Sequence, residues 1–287
     1  KAPFEIARGK LDAKEVLNAA FDSAFRRSFG EVLAKEKQEL IEAGGFEVKE
    51  NSAERLVYSV RLTVFPDFKP ADYKNIRIKK NDVSVSPEEI GKTLEFIKRQ
   101  REASGMTPEL NDDFAKSLGR FENLEELKTS VFEGLKQEKE IRESQRIQGL
   151  VLEKIAEKTK VELPPVLVEK QLDQLFLDFD ADLHRQGLEL GPYLAKIKKT
   201  SGDLRNEWKP KAEGLVKKSL IMREVAKKEK LKVSPEEVRE KVDSFLGGFA
   251  DIEEARKNID LEKLAVQLEQ VILNQKVLSF LEKEAIN

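Results

Sequence analysis

The chain has 287 residues, enough for one large or two to three small domains, and 52 Lys+Arg against 54 Asp+Glu leave a net charge of -2. That balance excludes a global basic excess aimed at nucleic acid and an acidic excess aimed at a cationic partner. With 37% charged and 7% aromatic residues the composition suits an extended helical protein better than a compact enzyme, and the lack of cysteine excludes disulfides, thiolate catalysis and cysteine metal sites.

The opening stretch KAPFEIARGK has the layout of neither a signal peptide nor a domain start, so the chain is expected to begin inside a domain. Asp12 with Glu15 three residues on reads as a capping box. Val16, Leu17, Ala20, Phe21, Ala24, Phe25, Val32 and Leu33 then recur near the helical period, predicting a helix of about 30 residues that stops at Gly44-Gly45. In RLVYSVRLTV, Leu56, Tyr58, Val60, Leu62 and Val64 occupy alternate positions, the signature of a strand with one buried face, and Phe46 to Lys49 is its expected partner. Two strands and a helix are marginal alone, so further strands before Lys1 are expected to complete the sheet. Residues 1–73 thus read as a partial α+β domain.

Residues 66–85 carry prolines and short apolar alternation and read as an extended linker. Ser86-Pro87-Glu88-Glu89 starts a helix through Ile90, Leu94 and Ile97 that dissolves near Ser104-Gly105, giving a linker segment over 74–109. From Leu110 to the end, residues 110–287, the pattern is helical. Leu124, Leu127, Val131 and Leu135 form a stripe that Ile147, Leu150, Val151 and Ile155 resume, but between Lys136 and Arg146 the only apolar residue is Ile141. A helix from Asn123 to Glu157 would be about 50 Å long, so it is expected to project as an arm. Pro164-Pro165 opens a second helix through Val168, Leu172, Leu175, Phe176, Phe179 and Leu183 to Gly187, and Leu204 to Glu229 gives a third. Ser234-Pro235-Glu236-Glu237 repeats the cap, FLGGF at Phe245 to Phe249 interrupts, and a terminal helix follows with Leu261, Leu264, Leu268, Val271, Ile272 and Leu278. The expected fold class is mainly α with a small α+β N-terminal domain, in an elongated multi-domain chain with helical arms.

No catalytic residue, metal site or cofactor is expected. His184 is the single histidine and sits beside Arg185, which leaves no histidine cluster or Ser-His triad. Asp112-Asp113 reads as a turn and cap, not an acid/base pair. Gly247-Gly248 lacks the preceding strand of a phosphate-binding loop, and the runs Lys196 to Lys199 and Lys227 to Lys230 read as solvated faces. Phe176, Phe179, Phe245, Leu246 and Phe249 are either helix-helix core or an apolar surface for a partner.

The segments LNDDFAKSLGRFENLEELKTSVFEGLKQEKE, VELPPVLVEKQLDQL and KLKVSPEEVREKV, in this order, resemble the C-terminal helical domain of bacterial trigger factor, and TVFPDFKPADYKNIRIKK resembles that family's exit from its ribosome-binding domain. The resemblance implies a cytoplasmic, ATP-independent chaperone whose partners are unfolded or nascent polypeptides and the ribosome, with a homodimer as one oligomeric form and no membrane partner. The family's docking loop has the form Gly-Phe-Arg-x-Gly-x-x-Pro. Here PFEIARGKLD offers Phe4, Arg8, Gly9 and Lys10 as ribosome-binding residues, with shifted spacing and Asp12 in place of the final proline. The resemblance also implies a prolyl-isomerase domain before the acidic turn, but only a handful of residues separate Arg101 from Leu110, so the chain is not expected to be an isomerase. The candidate client-binding residues are Phe132, Leu135, Leu175, Phe176, Phe179, Phe245, Leu246 and Phe249, with Phe132 and Leu135 on the first arm facing Leu175, Phe176 and Phe179 on the second. Competing readings are a helical scaffold with one dedicated partner and a chaperone whose isomerase domain is carried outside this chain.

Overall fold

A computed structural model describes residues 13–36, 39–52, 55–102, 109–119 and 121–286. Among these the elements in chain order are α1 (Ala13–Glu36), β1 (Leu40–Asn51), β2 (Leu56–Val64), α2 (Pro87–Glu102), α3 (Asp112–Ser117), α4 (Leu124–Lys158), α5 (Pro165–Arg185), α6 (Leu190–Lys196), α7 (Ser201–Lys228), α8 (Pro235–Leu246), α9 (Ile252–Asn258) and α10 (Leu261–Ile286). The described residues are mainly α with one small sheet. It forms two compact units, one of Lys1–Phe68 with Val161–Glu213 and the other of Lys69–Lys160 with Gly214–Asn287.

In the first unit β1 and β2 pair antiparallel, Leu40 opposite Val64 and Val48 opposite Tyr58. The helix expected to reach Gly44-Gly45 ends at Glu36 instead, because the residues from Leu40 onward find a ladder partner in β2. The two glycines lie inside β1, where the register shifts between Gly44 and Glu47 and Gly45 takes φ +59, a left-handed conformation that costs glycine little. α1 packs its phenylalanines on this hairpin: Phe25 lies 5.1 Å from Phe46 and 5.0 Å from Tyr58 between ring centroids, and Ser28 Oγ and the Tyr58 hydroxyl share a 2.7 Å hydrogen bond.

The second unit is organised by the segment expected to be a linker. Residues 69–81 form neither helix nor strand and make one turn at Lys74-Asn75, but Tyr73, Ile76 and Ile78 are buried, so this segment is a strap across the helices. The Ala71 amide donates to Thr159 Oγ1 at the end of α4 (3.0 Å), the Tyr73 hydroxyl to Glu229 just after α7 (2.6 Å), and the Ile78 amide to the Ala285 carbonyl at the end of α10 (3.0 Å). Arg77 adds a donor to the Glu284 carbonyl, so the strap caps carbonyls that the last turn of α10 leaves without a helical partner.

The polar middle of α4 also finds its use here. It was expected to leave the body for want of apolar residues. Instead Glu143 is buried and accepts from the Asn81 backbone amide (2.7 Å) and from Arg146 (2.7 and 2.8 Å), while Arg146 also donates to the Lys79 carbonyl (2.9 Å). Lys139 reaches the Ser84 carbonyl at 2.6 Å and Glu89 at 2.8 Å, and Ser144 and Gln148 donate to Glu282 of α10 at 2.5 and 2.7 Å. A stretch short of apolar side chains therefore packs by pairing its polar groups with strap backbone and with α10, which keeps the buried groups satisfied. Glu143 is held well below its ordinary 4.5, at about 2, first by Arg146 and then by the Asn81 amide, and Glu89 is held at about 2 chiefly by Lys139.

On either side of that polar belt α4 is apolar. Its first turns join α2 and α3 in a cluster of Leu94, Phe114, Ala115 and Leu127, flanked by Ile90, Ile97, Leu118, Phe121 and Val131. Asn111 caps α3 by accepting from the Phe114 amide (3.0 Å), and Asp112 accepts from the Leu124 amide at the start of α4 (2.8 Å). The later turns bury Ile147, Val151, Leu152 and Ile155, and α10 packs on α4 with Val277, Leu281 and Ala285 buried. Full burial of each such aliphatic side chain stabilises the fold by about 1.5–3 kcal/mol relative to exposure.

Candidate functional site

Beyond the strap, α8, α9 and the first half of α10 form a lobe whose shape is set by local signals. Ser234 accepts from the Glu237 amide (3.3 Å) while Glu237 accepts from the Ser234 amide (2.8 Å), a complete capping box with Pro235 at the first helical position. α8 ends at the glycine pair, where the Gly247 amide still bonds to the Asp243 carbonyl (2.9 Å). Asp251 then caps α9 by accepting from the Glu254 amide (2.9 Å), Asp260 accepts from the Lys263 amide at the start of α10 (3.1 Å), and Arg256 ties α9 to Asp243 of α8 at 2.9 Å. These caps fix where each helix of the lobe begins, and the Arg256 ion pair joins α9 to α8.

Its buried hydrophobic residues are Leu246, Ala255 and Leu264. Against that small core the lobe displays a large apolar surface: Val266 is 68% exposed, Val271 53%, Phe245 and Phe249 44% each, and Ile252 is exposed too. Phe245 and Phe249 meet edge to face with centroids 5.6 Å apart, a pairing that holds both rings at the surface. A groove of about 570 Å³ runs between α8 and α10, lined by Leu231, Val271 and Ile272 with Glu237, Lys241, Gln275, Lys276 and Ser279. Lys276 bonds across it to Glu237 (2.6 Å) and to the Lys232 carbonyl (2.8 Å), and Glu237 is pulled below its ordinary value first by that lysine.

A second aromatic group lies in the other unit. Phe176 and Phe179 of α5 sit 4.9 and 5.3 Å from Trp208 of α7, and Phe179 is 5.5 Å from Tyr193 of α6. Arg205 stacks 5.5 Å over Phe176 while donating to Glu169 (2.9 Å) and Asp173 (2.8 Å), and Glu169 followed by Asp173 raises its pKa further. These rings are half-buried against one another. On the outer side of α5, Leu177 is largely exposed among acidic neighbours.

The eight residues expected to touch clients are thus distributed unevenly. Phe245, near the end of α8, and Phe249, just beyond the glycine pair, are a surface pair; Leu246 between them is 1% exposed and belongs to the lobe's core. Phe132 is exposed on α4 with Leu135 half-buried in the same unit, whereas Leu175, Phe176 and Phe179 are half-buried in the other. Phe4, Arg8, Gly9 and Lys10 lie outside the described residues. Sequence reasoning passed over Trp208, Tyr193, Leu177 and Val266. Val266 carried the one available signal, an apolar residue off the stripe that Leu261, Leu264 and Leu268 define.

Among the described residues no His, Cys, Asp and Glu group is arranged to hold a metal, and no helix is long and apolar enough to cross a membrane. The family model for the trigger factor C-terminus matches residues 123–283, more than half of the chain, and that for the bacterial trigger factor protein matches residues 1–97. The chain belongs to the bacterial trigger factor family. Trigger factor from Clostridium kluyveri is 32% identical over 176 residues, 61% of this chain and 41% of that protein, and trigger factor from Trichormus variabilis is 30% identical over 213 residues, 74% of this chain and 44% of that protein. The chain therefore spans less than half the length of these curated trigger factors. A solved structure described under promiscuous substrate recognition in the folding and assembly activities of the trigger factor chaperone superposes with a TM-score of 0.53 at 16% identity, covering 95% of this chain and 86% of that one, a likeness of fold. Only residues 98–122 separate the two trigger factor segments.

Proposed function

We propose that this chain holds unfolded or nascent polypeptides without ATP and releases them by simple dissociation. The observation that carries this reading is the lobe with Phe245, Phe249, Ile252, Val266 and Val271 displayed over a core of only Leu246, Ala255 and Leu264, in a member of a chaperone family. Each contact contributes about 25 cal/mol per Å² of apolar area covered, so a client held at several such patches binds through many weak contacts and leaves readily. Holding the unfolded state lowers the free concentration able to aggregate. Phe132 and Leu135 offer a further patch; Phe176 and Phe179 serve mainly to brace α5 against α7.

Two narrower points belong to the same reading. Attachment to the ribosome is proposed to use Phe4, Arg8, Gly9 and Lys10, a reading that goes with a cytoplasmic location; Arg8→Glu with Lys10→Glu is expected to weaken cosedimentation with ribosomes, as is added salt. The short interval between the trigger factor segments supports a chaperone without isomerase activity, so a proline-limited refolding reaction should proceed at its uncatalysed rate with catalytic amounts of the protein present. The test of the reading as a whole is suppression of aggregation of several unrelated unfolded proteins at stoichiometric amounts. Protection of one client alone would favour a scaffold with a dedicated partner.

A further inference from the structure

The strap is joined to the helices in a way that lets it lift off without stranding a buried polar group. Each α4 side chain it uses has a second partner that stays behind: Glu143 keeps Arg146 (2.7 and 2.8 Å), Lys139 keeps Glu89 of α2 (2.6 Å), and Thr159 Oγ1 already donates to the Ile155 carbonyl (2.7 Å). Glu229 and the last carbonyls of α10 lie at helix ends, where water replaces the strap's donors. Stranded groups of this kind are what normally make the removal of a packed segment expensive. The segment is also tied to itself. Asp72 accepts from the Lys74 amide (3.0 Å) and from the Asn75 side chain (2.5 Å), and Arg77 donates to the Lys74 carbonyl (2.7 Å), so residues 72–77 move together. What holds the strap down is chiefly the burial of Ile76, Ile78 and Tyr73, whose ring meets Phe280 of α10 edge to face at 6.3 Å and lies under Lys228 at 5.0 Å.

We infer that residues 69–85 are a reversible latch that opens as one unit while α4 and α10 stay folded, turning a bound strap into free chain between β2 and α2. Closed, the segment is fixed along the helices. Open, it lets out on the order of 50 Å of tether, at about 3.3 Å per extended residue, and the last turn of α10 loses the donors of Arg77 and Ile78. The chain that joins the hairpin to α2 therefore has two lengths, and the balance between them is set by the burial of Tyr73, Ile76 and Ile78 together with the bonds to Thr159 and Glu143. The latch requires no client and no exposed apolar patch, so it is independent of the holding activity.

Amide hydrogen exchange of the full chain, followed by NMR at rising sub-denaturing urea, tests the latch. Ala71, Ile78 and Asn81 are expected to share one opening that responds weakly to urea and exchanges about tenfold or more faster than Ile147 and Ile155, which exchange only by unfolding. Thr159→Val weakens one end of the strap and Glu143→Gln the other, and each should speed Ala71 and Asn81 alike, by about three- to tenfold for one hydrogen bond. Val151→Ala, in a core that stays folded when the latch opens, should speed Ile147 and Ile155 by about tenfold or more and leave the strap amides unchanged. Acceleration confined to the altered end of the strap overturns the inference, as do strap amides that follow Val151→Ala or share the urea dependence of Ile147. The tether is read separately. Because the chain has no cysteine, dyes on Lys49→Cys and Glu95→Cys, both at exposed positions, report the span between β1 and α2. In Ile76→Ser with Ile78→Ser, or in Ile78→Ser alone if the pair removes protection at Val151, the distances should spread to longer values. A distribution identical to that of the parent overturns the tether role.

Discussion

The two halves of α10 are alike in sequence and opposite in use. From Val277 to Ala285 the helix buries its apolar side against α4 and beneath the strap, with Glu282 taking hydrogen bonds from Ser144 and Gln148. From Leu261 to Val271 it is just as apolar, yet only Leu264 is buried there and Val266 and Val271 face water. The apolar stripe of an amphipathic helix is normally turned against a neighbouring element. Here enclosure is supplied to one half only, because the strap and α4 end where the lobe begins. Stability is concentrated in the strapped body, and the lobe is left with apolar area to offer a partner.

Breaking the strap should have the largest effect. Tyr73→Ala removes a fully buried ring and leaves Glu229 without its hydroxyl donor, so a loss of about 3–5 kcal/mol is expected in urea unfolding. A loss of under about 1 kcal/mol would mean that the strap lies on a body already complete without it. Acid attacks the same contacts. Glu143 and Glu89 have folded-state values near 2, below the ordinary 4.5, so their contribution is fully present above pH 4.5 and fades as pH falls toward 2. Unfolding followed by circular dichroism should therefore steepen across that window, and Glu143→Gln should flatten it.

In the other unit the expected effect is intermediate. Phe179 is half-buried between Trp208 and Tyr193, so Phe179→Ala should cost about half the value for a fully buried ring, ~2 kcal/mol, and because Trp208 is the chain's one tryptophan its emission should move to the red. Unchanged emission would place the ring contact outside the populated state. A smaller change of opposite sign is expected at Gly149 in α4, where an added methyl group meets nothing within 4 Å. Gly149→Ala should stabilise the body by about 0.5–1 kcal/mol, visible as a higher melting temperature with client protection unaltered.

What could be read in advance follows from how far each interaction reaches along the chain. The starts of α2, α4 and α8 were readable because Ser86, Asn123 and Ser234 cap amides only three residues ahead. The strap was not, since Asn81 meets Glu143 62 residues later and Arg77 meets Glu284 207 residues later, and neither partner alters local periodicity. For the same reason the polar belt of α4 looked like a helix with nothing to pack on. α6 and α9 are seven residues each, too short to show a stripe. At the lobe, Phe245 and Phe249 were picked out by type and spacing, but which of Phe245, Leu246 and Phe249 would be enclosed depended on where α10 lies across α8.

The central claim is that client protection and fold stability reside in different halves of one unit. The most direct measurement compares the parent with a Phe245→Ser, Phe249→Ser, Val266→Ser variant in two assays, the urea midpoint and protection of several unrelated aggregating proteins. Since all three side chains are exposed, each substitution should change stability by no more than about 0.5 kcal/mol, while protection falls for every client. Full protection by the variant, or a loss of protection that merely follows a collapse of the urea midpoint, would contradict the account.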